Sequence, residues 1–427
     1  MAVDEGVGAY TGSGMRKRAV AITGMGVLSP IGQSVAEVVD SLRAGRSGVA
    51  AVQLDPLVKA VPAGVVHGNF EESFSRLERP FMDRVQHFAV LAARQAIADA
   101  GVEDFAAHGL RAGVYYGNVN GGAASVQSWA QSLLTEGKQA SRPFTAMAIM
   151  SNGGAAQISI RNKILGPVLT HGSACGASSV AIGEAARAIA DGYLDIAVAG
   201  GSEAPLSAMV SGVFSGTRAM SQPDAGDPSR SCKPFAKARS GLVLGEGGAF
   251  VILESESHAK ARNATIYGYL RGYGVSSDAS HIGMPAVEGQ VRALQAALEH
   301  AGLQPGEIQY INAHATATDG GDVIEAESIR TVFGEGPGDA QVSSTKAVHG
   351  HLLGAAGALE LVVTVLAMQA SVLPASVHMD EMDPRCSLNH VGPSPRTDIH
   401  IENALSFSCG FGGTNAALIV SRSPQSV

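Results

Sequence analysis

The sequence predicts an α/β fold in which a mostly parallel sheet is covered by helices on both faces, and three observations carry that expectation. Strand-like apolar runs alternate with helix-like stretches along the chain, the order that builds βαβ units. Those runs are apolar almost continuously instead of at every second residue, so both faces of the sheet are buried. Glycine reaches 53 of 427 residues while aromatics are 5% and charged residues 16%, a balance suited to close-packed layers joined by tight turns.

Met1 to Lys17 is glycine-rich, polar and without period, and residues 1–18 are expected as a flexible tail. The first strong pattern is Ala19-Val-Ala-Ile-Thr23 followed by Gly24-Met-Gly26 and Pro30-Ile-Gly32, a buried strand and turn. Val85 to Ala100 places apolar residues at helical spacing, and Ala112-Gly-Val-Tyr-Tyr-Gly117 is a short strand closed by glycine. Ser178 to Ala190 reads as helix and Leu194 to Ala199 as a strand closed by Gly200-Gly201. Ser221 to Arg239, rich in Pro, Asp, Ser and charge, reads as a surface loop, and Gly247 to Leu253 as another buried strand. The second half continues with Gln290 to Ala301 as helix, Ile308 to Asn312 as strand, Val323 to Phe333 and Gly357 to Ala370 as helices, and Asn415 to Ser421 as a final strand. Two similar α/β units are expected, residues 19–265 and 266–427, with no repeat visible residue by residue.

A hydrophobic content of 45% excludes intrinsic disorder as the main state, and the net charge of −8 gives no global attraction to a phosphate backbone, so nucleic acid is not an expected partner. The four cysteines, Cys175, Cys232, Cys386 and Cys409, contain no C-x-x-C pair and imply a reducing compartment. The first eighteen residues lack an apolar signal core, and runs such as Leu361 to Met368 are far shorter than a bilayer span, so a cytoplasmic location without a membrane is expected. No Walker loop, early GxGxxG, HExxH or zinc spacing is present, and no metal or nucleotide is expected.

Gly172-Ser-Ala-Cys175-Gly-Ala-Ser178 opens a helix, where free backbone N–H groups and the helix dipole favour thiolate over thiol. Cys175 therefore reads as a nucleophile, against the alternative of a buried small apolar residue. His314 lies in Asn312-Ala-His314-Ala-Thr316-Ala-Thr318-Asp319, at the carboxyl end of a strand, where α/β sheets place their sites. His351 lies in Ser344-Thr-Lys346-Ala-Val-His349-Gly-His351, ahead of a Gly/Ala-rich helix start, with His349 read as a bystander. Either histidine alone could be structural, whereas with Cys175 they make a Cys-His-His set. Lys346 and Glu360, isolated charges in an apolar stretch, are expected to pair or else to be two solvated charges. The Gly410-Phe411-Gly412-Gly413 loop can aim backbone N–H groups at an anionic oxygen, with Phe411 as a lid.

In order along the chain, Gly-Ser-Ala-Cys175, Val198-Ala-Gly-Gly-Ser-Glu203, Leu244-Gly-Glu246-Gly, Asn312-Ala-His314, Ser344-Thr-Lys346, Gly350-His351-Leu-Leu-Gly-Ala-Ala-Gly357 and Gly410-Phe-Gly-Gly-Thr-Asn415 resemble the β-ketoacyl-acyl carrier protein synthases. The resemblance is to the elongating type II branch, including type II polyketide ketosynthases, of the thiolase superfamily. It implies a thiolase-like five-layered α-β-α-β-α fold of two pseudo-equivalent halves, a dimer, and decarboxylative Claisen condensation of malonyl-carrier with an acyl chain on Cys175. It further implies an oxyanion hole from the N–H groups of Cys175 and Phe411, enolate stabilisation by His314 and His351, support from Lys346 with Glu360, and phosphopantetheine binding by Thr316 and Thr318. The substrates would arrive on acyl carrier protein, with no other cofactor.

Three departures stand out: Ala315 follows His314 where the family has Gly, Cys409 occupies the place of a gating Phe, and Asn120 replaces an apolar residue at the acyl pocket. They point toward specialised polyketide or polyene substrates, and to a homodimer or a heterodimer with a homologous chain-length factor. Arg218 stands where the family docks its carrier, and Arg76, Arg79 and Arg84 form a second basic cluster for the same acidic partner. The alternatives are a non-decarboxylating thiolase using Cys409, a chain-length subunit, which would lack Cys175, and a Cys-His hydrolase.

Overall fold

The computed structural model describes residues 17–425 apart from Leu57, Arg142 and Pro337. Residues 1–16 of the expected tail lie outside the described residues.

Ten strands form the main sheet: β1 (Val20–Leu28), β2 (Ala112–Gly117), β3 (Val168–His171), β4 (Ile196–Glu203), β5 (Gly247–Ser255), β6 (Gly268–Ser277), β7 (Tyr310–Asn312), β8 (Gln341–Ser343), β9 (Asn403–Cys409) and β10 (Thr414–Ser421). Their spatial order is β8-β7-β9-β10-β6-β1-β5-β4-β2-β3. Counted outward from the junction of β6 with β1, each side runs first, fifth, fourth, second, third strand of its own half. The hydrogen-bonding repeats as well. β2 pairs in parallel with β3 and β4, as β7 does with β8 and β9, while β4 with β5 and β5 with β1 are antiparallel, as are β9 with β10 and β10 with β6. The expectation of a mostly parallel sheet is therefore corrected to a mixed one. A strand buried on both faces reads as a continuous apolar run in either orientation, so the pattern could not tell them apart.

Six helices complete the layers: α1 (Arg84–Ala100), α2 (Gly153–Asn162), α3 (Ala177–Ala190), α4 (Val287–Ala301), α5 (Asp319–Phe333) and α6 (Ala356–Ala370). One core, holding Ile182 and Ile189 of α3, Leu359 and Val363 of α6, and Val251 and Leu253 of β5, lies between the two halves of the sheet. Phe250 and Ile252, the alternate residues of β5, face a second core with Phe88 and Ala92 of α1. A third core joins α4 and α5 to the outer face of the second half. Helix, sheet, paired helices, sheet and helix are the five layers that the resemblance implies. The apolar stretch 353–370 is long enough by composition to cross a membrane but is 89% buried here, as the central α6.

The structure also exposes a repeat that the sequence reading did not find. An ideal Cβ on Gly24 or Gly26 of β1 would fall 2.3 Å from Ala96 O or 2.0 Å from Ala92 O of α1, so helix and strand touch backbone to backbone. In the second half Gly272 and Gly274 of β6 meet Ala297 O and Ala293 O of α4 at 2.5 and 2.1 Å. Gly24-Met-Gly26 and Gly272-Tyr-Gly274 are thus the same packing device, four-residue-spaced alanines under a Gly-x-Gly strand.

Residues 221–239 are not simply a surface loop. Phe235 is wholly buried and belongs to the third core, Cys232 is buried, and Arg239 is anchored by hydrogen bonds to Asp383 (2.7 Å) and Thr318 O (3.1 Å). The polar residues are real, but they alternate with a few deep anchors.

Candidate active site

Between β3 and α3 the chain makes a single 3-10 turn, Ala174–Gly176, that presents Cys175 at the foot of α3. Ala174 adopts φ 47°, a left-handed conformation costly for a non-glycine residue, and this sharp elbow turns the thiol into the interior. The sequence reading expected a thiolate at this helix start. The thiol is instead almost fully buried, and burial pushes its pKa up to about 12, against the opposing pull of Lys346 and the Phe411 N–H that points at the sulfur. Burial therefore favours the neutral thiol of Cys175 over the thiolate.

His314 leaves the end of β7 with its own N–H donating to Glu325 Oε1 at 2.6 Å. His351 is bridged by backbone hydrogen bonds to a neighbouring segment, its N–H donating to Val243 O and its carbonyl accepting from Gly245. The two rings meet edge to face, centroids 5.3 Å apart at 84°. One reactive atom from each histidine and the Cys175 sulfur lie within 4.8 Å of one another. Burial, then the nearby Lys346 charge, hold both imidazoles well below their usual pKa, so both are neutral at physiological pH. Each also has an Nδ1 buried without a protein partner. The Nε2–H tautomer is assigned on that ground, since a bare lone pair is less costly to leave unmatched than an N–H.

Cys, His and His are also the donor types of a zinc site. With Nε2 as ligand, however, neither ring would have the outer hydrogen-bond acceptor that orients metal-bound imidazoles. The set fits two neutral N–H donors facing a nucleophile better than a metal cage.

Lys346 and Glu360, both wholly inaccessible, form a buried ion pair, which settles their alternative of solvated surface charges. Burial raises the Glu360 carboxyl to about 7 even beside the ammonium. His349 has both ring nitrogens engaged within its own segment, Nδ1 with Gly350 O at 2.6 Å and Nε2 with Thr345 Oγ1 at 3.0 Å, and takes no part in the cluster.

Cys175, His314 and His351 line a cavity of about 570 Å³. Thr316 and Thr318 line it too, their hydroxyls 3.1 Å apart, as do Leu242 and Phe214 on its apolar side. Phe411 lines it while 47% exposed, and its loop is tied to residues 278–282 through Gly412 N–H to Ile282 O and Asp278 N–H to Gly413 O, both 2.8 Å. Cys409 shares the cavity, but burial and the neighbouring carboxylates of Glu325 and Asp278 drive its thiol well above the usual range.

The other expected site residues are placed differently. Arg218 lines the cavity with an exposed side chain, and Asn120 lies outside that lining, its backbone and side-chain N–H groups both donating to Glu203. Arg76, Arg79 and Arg84 border a separate cavity of about 680 Å³. Arg84 is not a free cation: it grips Glu246 with two hydrogen bonds, 2.9 and 2.7 Å, and stacks over Phe70 and Phe88. That corrects its reading as part of an open docking patch. Arg79 donates to Phe74 O, which leaves Arg76 as the exposed member.

Sequence reasoning missed Glu325. It sits on α5, lines the cavity, and is raised to about 8 chiefly by burial. A signal existed, since Asp319, Asp322 and Glu325 recur at helical spacing behind His314, but acidic residues at a helix start read equally as dipole partners.

Family models described as the Beta-ketoacyl synthase N-terminal and C-terminal domains match residues 17–259 and 267–380. The chain is 36% identical over 409 residues to a 3-oxoacyl-[acyl-carrier-protein] synthase 2 of Staphylococcus aureus (strain COL), covering 95% of this chain and 98% of that one. Among solved structures it is similar to the ishigamide ketosynthase/chain length factor, with TM-score 0.88 and 30% identity over 95% of this chain and 100% of the other. It is also similar, with TM-score 0.86, 28% identity and the same two coverages, to a chain of a type II polyketide synthase acyl-carrier protein in complex with its ketosynthase bound to the hexaketide.

Proposed function

From a chain that belongs to the beta-ketoacyl synthase family, and is an acyltransferase-type condensing enzyme of the elongating 3-oxoacyl-ACP synthase kind, we propose a decarboxylative Claisen condensation centred on Cys175 and serving specialised polyketide or polyene assembly. The observation that carries the reaction is the meeting of Cys175, His314 and His351 within 4.8 Å.

In the first half-reaction the Cys175 sulfur attacks the carbonyl of an acyl thioester on acyl carrier protein. The N–H groups of Cys175 and Phe411 receive the oxyanion, the bond to the carrier sulfur breaks, and the proton leaves with the phosphopantetheine thiol. In the second, malonyl-carrier places its thioester oxygen against the His314 and His351 N–H groups, with its arm along Thr316 and Thr318. The bond to the carboxylate breaks, its electron pair becomes the enolate, and the enolate carbon attacks the Cys175 thioester and expels the thiolate, which regains a proton. Neutral histidines suit this step because the charge they stabilise exists only as CO₂ leaves. Burial first, and then Lys346 fixed by Glu360, keep them neutral. No metal, nucleotide or other cofactor takes part.

The polyketide assignment rests on Cys409 in place of a gating Phe and on the similarity to ketosynthases of that kind. Edge strand β3 exposes Val168 and Leu169 beside Ile160 and Leu165, an apolar edge of the sort that folded chains cover. A homologous chain covers it here, either a second copy or a chain-length factor. Arg218 meets the acidic carrier. With all four cysteines free, the protein works in the cytoplasm.

The deciding experiment is intact-mass analysis after exposure to acyl carrier proteins of different chain lengths. One acyl adduct is expected on the native protein and none on Cys175→Ala, and an equal adduct on the mutant refutes the assignment.

A further inference from the structure

Because the halves share one strand order, the surroundings of Cys175 have a counterpart in the second half. Leu353, at φ 46°, matches Ala174 at φ 47°. Each begins or precedes a three-residue 3-10 turn, Ala174–Gly176 and Leu353–Ala355, and each turn runs directly into a central helix, α3 or α6. Gly354 therefore occupies the place of Cys175. The ends of the fourth strands correspond too. Beyond β9, Gly410 and Phe411 reach the Cys175 elbow, an ideal Cβ on Gly410 falling 3.2 Å from Cys175 N. At the end of β4, Glu203 reaches the Gly354 elbow, where an ideal Cβ on Gly354 would fall 2.7 Å from Glu203 Oε2. The space that holds a reactive thiol in one half is filled in the other by a carboxylate.

That carboxyl group is wholly buried, and N–H groups instead of a cation meet it among the described residues. Burial without a cation is expensive and pushes its pKa up to about 7, and the hydrogen bonds that oppose this come from N–H donors alone. Oε2 accepts from Gly354 N at 3.2 Å and Val119 N at 3.0 Å, and Oε1 from Asn120 N at 3.1 Å and Asn120 Nδ2 at 3.2 Å, with a longer contact from Asn118 Nδ2 at 3.4 Å. These donors come from two segments that touch the site from different directions, the loop after β2 and the elbow that follows His351. His351 is already pinned on its other side by the backbone bridge to residues 243–245. Glu203 supplies the second fixed point three residues on.

We propose that Glu203 is a positioning residue for the condensation step, its carboxylate clamping the Gly354 elbow to the loop at Val119 and Asn120 so that the His351 ring is held at the enolate. The inference rests on the proposed role of His351 and concerns the second half-reaction, since Glu203 touches the elbow that does not carry Cys175 and acts on that thiol only as a lesser charge behind burial, Lys346 and the Phe411 N–H.

The test separates the half-reactions. Glu203→Gln keeps the shape but replaces one accepting oxygen with an amide N–H₂ that faces N–H donors, so one pair of hydrogen bonds must be lost. Acyl transfer from acyl-carrier to Cys175 is expected to stay within about twofold of native, while kcat for condensation with malonyl-carrier falls at least about tenfold at unchanged KM for the acyl donor. Gly354→Ala should give the same split by a different route, because its new methyl pushes the carboxylate away. Thermal unfolding of each variant is read alongside, and if Glu203→Gln does not fold, Gly354→Ala decides. Native condensation rates in both variants, equal losses in both half-reactions, or failure of both to fold would overturn the inference. Failure of the native protein to condense malonyl-carrier would instead overturn the reaction on which it rests.

Discussion

Replacing His314 or His351 with alanine should divide the catalytic cycle at its midpoint. Both rings are buried and held neutral by burial and by Lys346, so each can offer a substrate oxygen an N–H without carrying charge of its own. Removal of one preorganised donor to a developing oxyanion costs about 2.7–4 kcal/mol, or about 10²–10³ in rate. The rings lie 5.3 Å apart, close enough to serve one oxygen, so the double mutant should lose less than the product of the two single effects. The assay loads Cys175 from an acyl carrier, verifies the adduct by intact mass, then adds malonyl-carrier and follows CO₂ and the 3-oxo product. Each single mutant should load normally and condense about 10²–10³ more slowly. Because the native pKa values lie well below 6.5, native condensation should show no acid limb near that pH from these residues. Loss of loading in step with condensation would make a histidine the general base for Cys175 and refute the donor role, and a condensation loss under about tenfold would remove that residue from the step.

Lys346→Met strands Glu360 in the core and should cost about 3–5 kcal/mol in denaturant unfolding, whereas Lys346→Met with Glu360→Leu should recover most of that loss; equal instability of single and double mutants would show that packing, not charge, holds the segment. Glu325 has its folded pKa raised from 4.5 to about 8, so its contribution to stability is fully present below about pH 4.5 and is lost as pH rises through about 8. Glu325→Gln should accordingly gain on the native protein between pH 5 and pH 9 in unfolding midpoint, and a constant difference across that range would contradict the burial argument. Arg218→Glu should raise KM for carrier-bound substrate and weaken its salt dependence while leaving alkylation of Cys175 by a small reagent unchanged; unaltered carrier kinetics would move the docking surface elsewhere.

What the sequence displayed well was periodicity. α1, α3, α4 and α6 begin within three residues of their expected starts, because apolar spacing marks them locally, and Gly101 and Gly302, both at positive φ, close α1 and α4. Strand direction was not displayed, since β5 and β10 bury both faces whichever way they run. The site was legible where chemistry and backbone coincide, as at Cys175 on its elbow or His314 beyond a strand end. It was illegible where the function of a residue depends on a partner far along the chain. Glu203 meets Gly354 across 151 residues and Arg84 meets Glu246 across 162, and no local pattern announces either pair. The Arg84 pairing matters most for reading charge clusters, because a guanidinium between two Phe rings with a carboxylate on its fork has little left to offer a partner.

One Cys-His-His cluster emerges from two nearly equivalent halves because the equivalence fails at a few atoms. The first elbow carries Cys175 and the second carries Gly354, so only one half presents a thiol there. The strand-end loops then diverge to match: Phe411 turns an N–H toward sulfur, and Glu203 turns an oxygen toward Gly354 N–H. The segments after β7 and before α6 supply His314 and His351, so the second half brings both imidazoles beside the thiol of the first. The cavity opens on the Cys175 side, and at the other elbow the corresponding space holds the Glu203 carboxyl, 2.7 Å from an ideal Cβ on Gly354. The small residues of Gly350 to Gly357 let α6 start close enough to the Cys175 turn to place His351 beside it, and Glu203 is what occupies the space they leave.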